Sequence, residues 1–182
     1  MKERKYKEDW ANETRFDDKG REKRVPVYRG PRYQFAEGEN GKKLAGKALT
    51  GWIVFTALIF LYFIFDFPGG RILYVFLPAG LSLFPCMYWA MGVWGISRAG
   101  EKMTRLQKEN GVGRVLRSAA GCALCIAAAL IGEAVWLIGG ADAGKEWPGL
   151  MLLLGAGACA LGTARMFRDT RKQMKEEGGE KK

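Results

Sequence analysis

The chain has 182 residues, 48% of them hydrophobic, with 29 Lys and Arg against 19 Asp and Glu, a net charge of +10 and no histidine. Without an imidazole, His-ligated haem, His-based zinc sites and Ser/His or Cys/His nucleophile pairs are excluded. The apolar residues are gathered into four blocks with the charges between them, the pattern of an integral membrane protein rather than of amphipathic globular elements.

Residues 1–47 carry 14 Lys or Arg against 9 Asp or Glu. With so little to bury they read as a flexible basic cytoplasmic tail. Pro26 and Pro31 bias Val25 to Tyr33 towards an extended path, either a docking strip for a partner or a solvated linker. No basic segment with a short apolar run and a cleavage site precedes the first block, so the N-terminus is expected to be retained.

The transmembrane domain is read over residues 48–176. Leu49 to Phe65 and Ile72 to Ile96 contain no charged residue, and each is close to the ~20 residues that a helix needs to cross the ~30 Å hydrocarbon core. Spans are predicted at about 49–67 and 72–96, joined through Phe67, Pro68, Gly69, Gly70 and Arg71. Pro78 and Pro85 deprive the Tyr74 and Leu81 carbonyls of their helical donors, so kinks are predicted there. Residues 97–117 form a charged loop. Arg98, Lys102, Arg105 and Glu109 recur in it at helical spacing, which predicts that the second span continues into water as a stalk until Asn110 and Gly111 break it.

A third span, rich in Ala, Gly and Cys, is predicted at about 119–139. A short connection holding Asp142, Lys145 and Glu146 leads to the fourth, at about 147–164, with Pro148 in its first turn. Arg165, Arg168, Arg171 and Lys172 mark a basic helical extension, and residues 177–182 read as a disordered tail. The expected fold class is all-α: a four-transmembrane-helix bundle with cytoplasmic extensions of helices 2 and 4. Of the 29 Lys and Arg, 27 fall in the tail, the middle loop and the C-terminal segment, so the positive-inside rule places both termini in the cytoplasm, most simply across a bacterial cytoplasmic membrane.

Glu133 is the ionisable residue that falls well inside a predicted span, and such residues are functional candidates by default. Tyr62 lies at similar depth, Arg71 could reach down from the boundary, and the Tyr74 carbonyl freed by Pro78 could accept a hydrogen bond from a neutral Glu133. Cys122 and Cys125 lie one turn apart, with Cys159 at comparable depth on the fourth span. Packing of small thiols among Ala and Gly competes there with a redox or soft-metal site. In span number alone the chain resembles the membrane disulfide oxidoreductases of the vitamin K epoxide reductase kind, whose reactive cysteines lie towards the outer face.

Small-residue spacings (Gly121, Cys125, Ala128 and Gly132; Gly155, Gly157, Ala158, Cys159 and Gly162) allow either internal packing of spans 3 and 4 or a homodimer face. Arg98, Lys102, Arg105, Arg165, Arg168, Arg171 and Lys172 are placed to meet anionic lipid headgroups. Topology accounts for these charges, so nucleic acid is not invoked as a partner. No catalytic constellation, cofactor loop or metal set is found in the sequence. The leading expectation is a non-enzymatic accessory or assembly subunit that binds a larger membrane protein. The alternative is a small proton-coupled transporter or channel using Glu133. For that reading the chain resembles the small multidrug-resistance transporters in having four spans and a lone membrane carboxyl, although those are shorter and carry the acid in the first span. A thiol-dependent membrane enzyme is third.

Overall fold

The computed structural model describes residues 9–16, 22–35, 39–65, 67–100, 102–140 and 142–177. It is mostly helical (77%), with four helices long and apolar enough to cross a membrane. Helix α1 (Gly41–Ile64) begins at Asn40, whose side chain accepts from the Lys43 amide, and ends just ahead of Pro68. A single 3₁₀ turn, Gly69–Arg71, carries the chain into the second of these four candidate crossings.

That crossing is two helices, α2 (Leu73–Leu81) and α3 (Leu83–Ser97), separated at Ser82. Pro85 has no N–H to offer the Leu81 carbonyl, and the break falls there; α2 runs on through Pro78. Ser82 is fully buried, and its hydroxyl satisfies itself on the Ala79 carbonyl at 2.6 Å.

The expected stalk on helix 2 is not formed, because α3 stops at Ser97. After the short strand β4 (Lys102–Thr104), Thr104 and Gln107 close a capping box that starts a new helix, α4 (Arg105–Asn110). The charged segment therefore leads into the third crossing, α5 (Val112–Ile138), instead of prolonging the second. The fourth, α6 (Ala143–Gln173), begins four residues before the expected start, because Asp142 caps it by accepting from the Gly144 amide at 3.0 Å. It runs on through the basic segment to Gln173.

Helix α1 packs on α3 and α6, and α5 on α6, α2 and α3, so the four crossings follow one another round the bundle in sequence order. Phe55, Ile59, Trp89, Ile126 and Leu153 are fully buried between them. The Trp89 indole donates to the Ala48 carbonyl at 3.2 Å and the Trp52 indole to the Cys86 carbonyl at 3.1 Å. Ile138, Leu124, Leu73 and Ile64 point outward at 71–87% exposure, the apolar exterior that hydrocarbon requires and water penalises.

Glycines set the closest approaches. A Cβ on Gly132 would lie 2.9 Å from the Tyr74 carbonyl oxygen, and one on Gly92 2.7 Å from Val115. Gly121 faces Pro85, Gly155 faces Leu58 and Gly157 faces Ile126, so these small residues serve packing within the chain, while Gly162 faces open space.

The segments expected to be unfolded or purely helical contain strands. Strands β1 (Trp10–Phe16) and β2 (Glu22–Tyr28) pair as an antiparallel hairpin. Strand β3 (Arg32–Gln34) is the centre of a three-stranded antiparallel sheet between β4 and β5 (Lys175–Glu177), with Tyr33 opposite both Met103 and Glu176. Within the segment expected as a flexible tail the structure has strands at 10–16, 22–28 and 32–34, so the chain is mostly rather than wholly helical; residues 1–8, 17–21, 36–38 and 178–182 lie outside the described residues. Pro26 is tolerated in β2 because each strand of a two-stranded hairpin is an edge.

The Tyr28 hydroxyl donates to the Pro31 carbonyl at 3.0 Å and accepts from the Arg105 amide at 3.1 Å, tying the hairpin to α4. The Lys108 ammonium sits 3.8 Å from the Tyr33 ring centroid, and Phe35, Met103 and Met174 are buried beside the sheet. Strands β3, β4 and β5 come from before the first crossing, between the second and third, and after the fourth. Their pairing puts those three segments at one end of the bundle.

Candidate functional site

At the opposite end, the early start of α6 decides the site. Asp142 as cap places Glu146 in the first turn, where the helix N-terminus favours an acid, and the side chain is turned into the bundle at 1% exposure. Its Oε1 accepts from the Gly69 amide at 2.8 Å and from the Trp136 indole at 3.2 Å. Its Oε2 has no partner. Glu146 thus joins the 3₁₀ turn, α5 and α6 through one oxygen.

Glu133 sits on α5, five residues before Ile138 and so about 7 Å below that helix end. It too is 1% exposed, and neither of its oxygens has a hydrogen-bond partner. Its carboxyl stands beside that of Glu146, the neighbour that acts on it electrostatically. It also lies directly against Gly69: a Cβ there would be 2.6 Å from each carboxyl oxygen. Gly69 is therefore pressed between the two acids, with its N–H on Glu146 and its bare Cα on Glu133. Neither acid is ion-paired among the described residues.

Tyr62 of α1 completes the cluster. It is 2% exposed, its hydroxyl has no partner, and both carboxyls lie within its electrostatic reach. Its ring is held by stacking on Phe67, with centroids 5.8 Å apart at 30°. Gly149 of α6 lets that stack approach, since a Cβ there would be 3.0 Å from Phe67. Tyr62 also lines a cavity of about 540 Å³, together with Phe63, Phe65, Phe67, Gly70, Arg71 and Phe76. The arrangement is an aromatic vestibule, a buried hydroxyl and a pair of buried carboxyls in contact.

Of the residues singled out in the sequence, the structure brings Tyr62 to Glu133. Arg71 is exposed on the 3₁₀ turn and lines the vestibule without pairing with either acid. Tyr74 is 47% exposed; its carbonyl faces Gly132, and the hydrogen bond expected from Glu133 is not formed. Glu146 was missed, and the signal that could have found it is Asp142, a strong N-cap residue four positions upstream.

All four cysteines are free. Cys122 neighbours Cys86 of α3, not Cys159, and donates to the Ser82 carbonyl at 3.5 Å. Cys159 donates to the Gly51 carbonyl at 3.3 Å, and Cys125 is half-buried. No three metal-ligating side chains come together among the described residues. Arg98, Lys102, Arg165, Arg168, Arg171 and Lys172 are exposed and Arg105 half-exposed. No family model, curated protein or solved structure matches the chain.

Proposed function

We propose that the protein is a small multi-pass membrane carrier, with both termini cytoplasmic, that takes up and releases protons through Glu133, Glu146 and Tyr62. The observation that carries this reading is the convergence of the adjacent Glu133 and Glu146 carboxyls and the Tyr62 hydroxyl in a buried site, with no basic side chain acting on them among the described residues. Two adjacent carboxylates removed from water cannot both stay charged. One proton held between Glu133 and Oε2 of Glu146 joins the two acids and leaves the pair with a single buried negative charge, which recruits a second proton or a small monovalent cation and later releases it.

Gly69 N–H and the Trp136 indole hold Oε1 of Glu146, so the carboxyl stays in place as the proton comes and goes. Tyr62, which interacts electrostatically with both carboxyls and also lines the vestibule, is the group assigned to pass the proton on. The orientation is supported by the charge distribution and by the sheet that gathers the tail, the middle loop and the C-terminal segment at one end.

Purified protein in liposomes loaded with a pH-sensitive dye, driven by a potassium diffusion potential, tests this. Wild type is expected to acidify the lumen, with Glu133→Gln and Glu146→Gln falling to the rate of empty liposomes. Wild-type flux equal to that of protein-free liposomes overturns the proposal. The accessory-subunit reading is favoured by the β1–β2 hairpin, since two strands alone are marginal in water and gain from a partner. Copurification of one stoichiometric membrane protein, lost on deletion of residues 1–30, would support it.

A further inference from the structure

At the end of the bundle that carries the sheet, α1 and α3 pack on each other but leave a groove along their contact. It has a volume of about 450 Å³ and walls that include Ala45, Gly46, Leu49, Trp52 and Trp94, with Lys42 also lining it. The groove is open because its floor is made of small residues: a Cβ built on Gly46 meets no atom within 4 Å. The Trp52 indole is fixed by its bond to the Cys86 carbonyl, so this wall is preformed.

Two cations stand at the end of this groove. Lys42 is exposed and lines it, and the Arg98 guanidinium lies 4.7 Å from the centroid of the Trp94 ring that forms its other side. Lys47, by contrast, is engaged by Glu39. Apolar walls would leave the hydroxyls of a sugar or the base edges of a nucleotide unpaired, which is costly. A bare hydrocarbon chain would leave both cations uncompensated. One molecule meets both halves of the site.

We propose that this groove binds one anionic phospholipid of the cytoplasmic leaflet, an acyl chain lying against Gly46, Leu49 and Trp94 and the phosphate held by Lys42 and Arg98. A zwitterionic lipid brings its own ammonium to the two cations and is disfavoured. Each cation near an anionic headgroup is worth roughly fivefold in occupancy, so the preference over phosphatidylcholine is about an order of magnitude. The site is remote from the carboxyl pair, and its test does not depend on transport.

The test is native mass spectrometry of the purified full chain, given an equimolar mixture of phosphatidylglycerol and phosphatidylcholine with identical acyl chains. Wild type is expected to retain one phosphatidylglycerol. Gly46→Leu starts its side chain in open space, where a Cβ meets no atom within 4 Å, and is expected to lose it while keeping its melting temperature. Lys42→Glu, at an exposed position, is expected to lower retention tenfold or more, and Arg168→Ala on α6 to leave it unchanged. Equal retention of the two lipids, retention by Gly46→Leu at the wild-type level, or a dimer mass that Gly46→Leu dissolves would each overturn the proposal, the last by assigning the groove to a second copy of the chain.

Discussion

Replacing Glu146 by alanine tests the geometry of the carboxyl site most directly, because one oxygen of Glu146 holds two donors from different elements. The Gly69 amide is buried, so its loss of a partner carries the full penalty of about 1–3 kcal/mol. The Trp136 indole is only half-buried and costs less, roughly 0.6 kcal/mol, near the mean for side-chain hydrogen bonds in membrane bundles. Loss of an acid from the first turn of α6 adds about 0.3–1 kcal/mol; relief of the contact with Glu133 acts the other way. The net is a destabilisation of about 2–4 kcal/mol, which for a chain of this length corresponds to a melting temperature lower by roughly 4–16 °C.

Glu146→Gln keeps an acceptor for Gly69 and Trp136 and offers an amide donor to Glu133, so it is expected within about 1 kcal/mol of wild type. Thermal unfolding in detergent at one fixed heating rate, read by a thiol-reactive dye that reports exposure of buried Cys86 and Cys122, measures the difference. A melting temperature of Glu146→Ala unchanged from wild type, or a Gln variant as weak as the Ala variant, would refute the reasoning.

Gly69→Ala drives a Cβ to 2.6 Å from both Glu133 oxygens, whereas Gly70→Ala places one 3.4 Å from the Tyr62 hydroxyl; the first is expected to cost about 1–3 kcal/mol and the second less. In a Glu133→Ala background the Gly69→Ala penalty should fall by at least about 1 kcal/mol in a double-mutant cycle, and an unchanged penalty would place the clash elsewhere. Deleting residues 1–30 removes the hairpin but leaves β3, so melting should shift by only a few degrees; deleting 1–35 also removes the central strand and Phe35 and should expose the sheet-bearing end to protease. Burial pushes the Tyr28 hydroxyl above its ordinary value. The folded chain therefore binds that proton more tightly than the unfolded chain, and the contribution is whole below about pH 10 and lost as pH climbs through the higher folded value. Melting curves taken through that range should show Tyr28→Phe lacking this alkaline loss; a variant with the same pH profile as wild type would remove the assignment.

The long apolar helices were legible because uncharged runs of that length have few other destinations, and Pro85 marked the break in the second crossing through a missing N–H. The sheet was not legible. Strands β3, β4 and β5 are three residues each, too short for an alternating pattern to register. Their stability comes from pairing between segments roughly 70 and 140 residues apart in the chain, brought together by the helices. Composition reported correctly that residues 32–34 have little to bury, but their backbone donors and acceptors still required partners and found them at the ends of two helices. The stalk expected on helix 2 failed for a related reason: charges at helical spacing are equally consistent with a helix that precedes the next crossing, and the Thr104–Gln107 capping box decides between them.

Half of the carboxyl site followed from rarity alone. Glu133 stands out because an acid within an apolar run must be explained, and Tyr62 was reached by counting depth from the helix ends. Glu146 did not stand out, since beside Asp142 and Lys145 it looked like a residue of a solvated turn. Its burial depends on where α6 begins, and that start is set by one side chain, Asp142, accepting the Gly144 amide. Had Trp147 been the first helical residue, Glu146 would have remained in the connection and Glu133 would have been a solitary buried acid with a purely structural role as the simplest account. With the helix starting at Ala143, a second acid is carried into the bundle against the first, and two carboxyls in contact need a proton between them. A single N-cap therefore separates a solitary buried acid from the adjacent pair on which the proposed proton exchange rests.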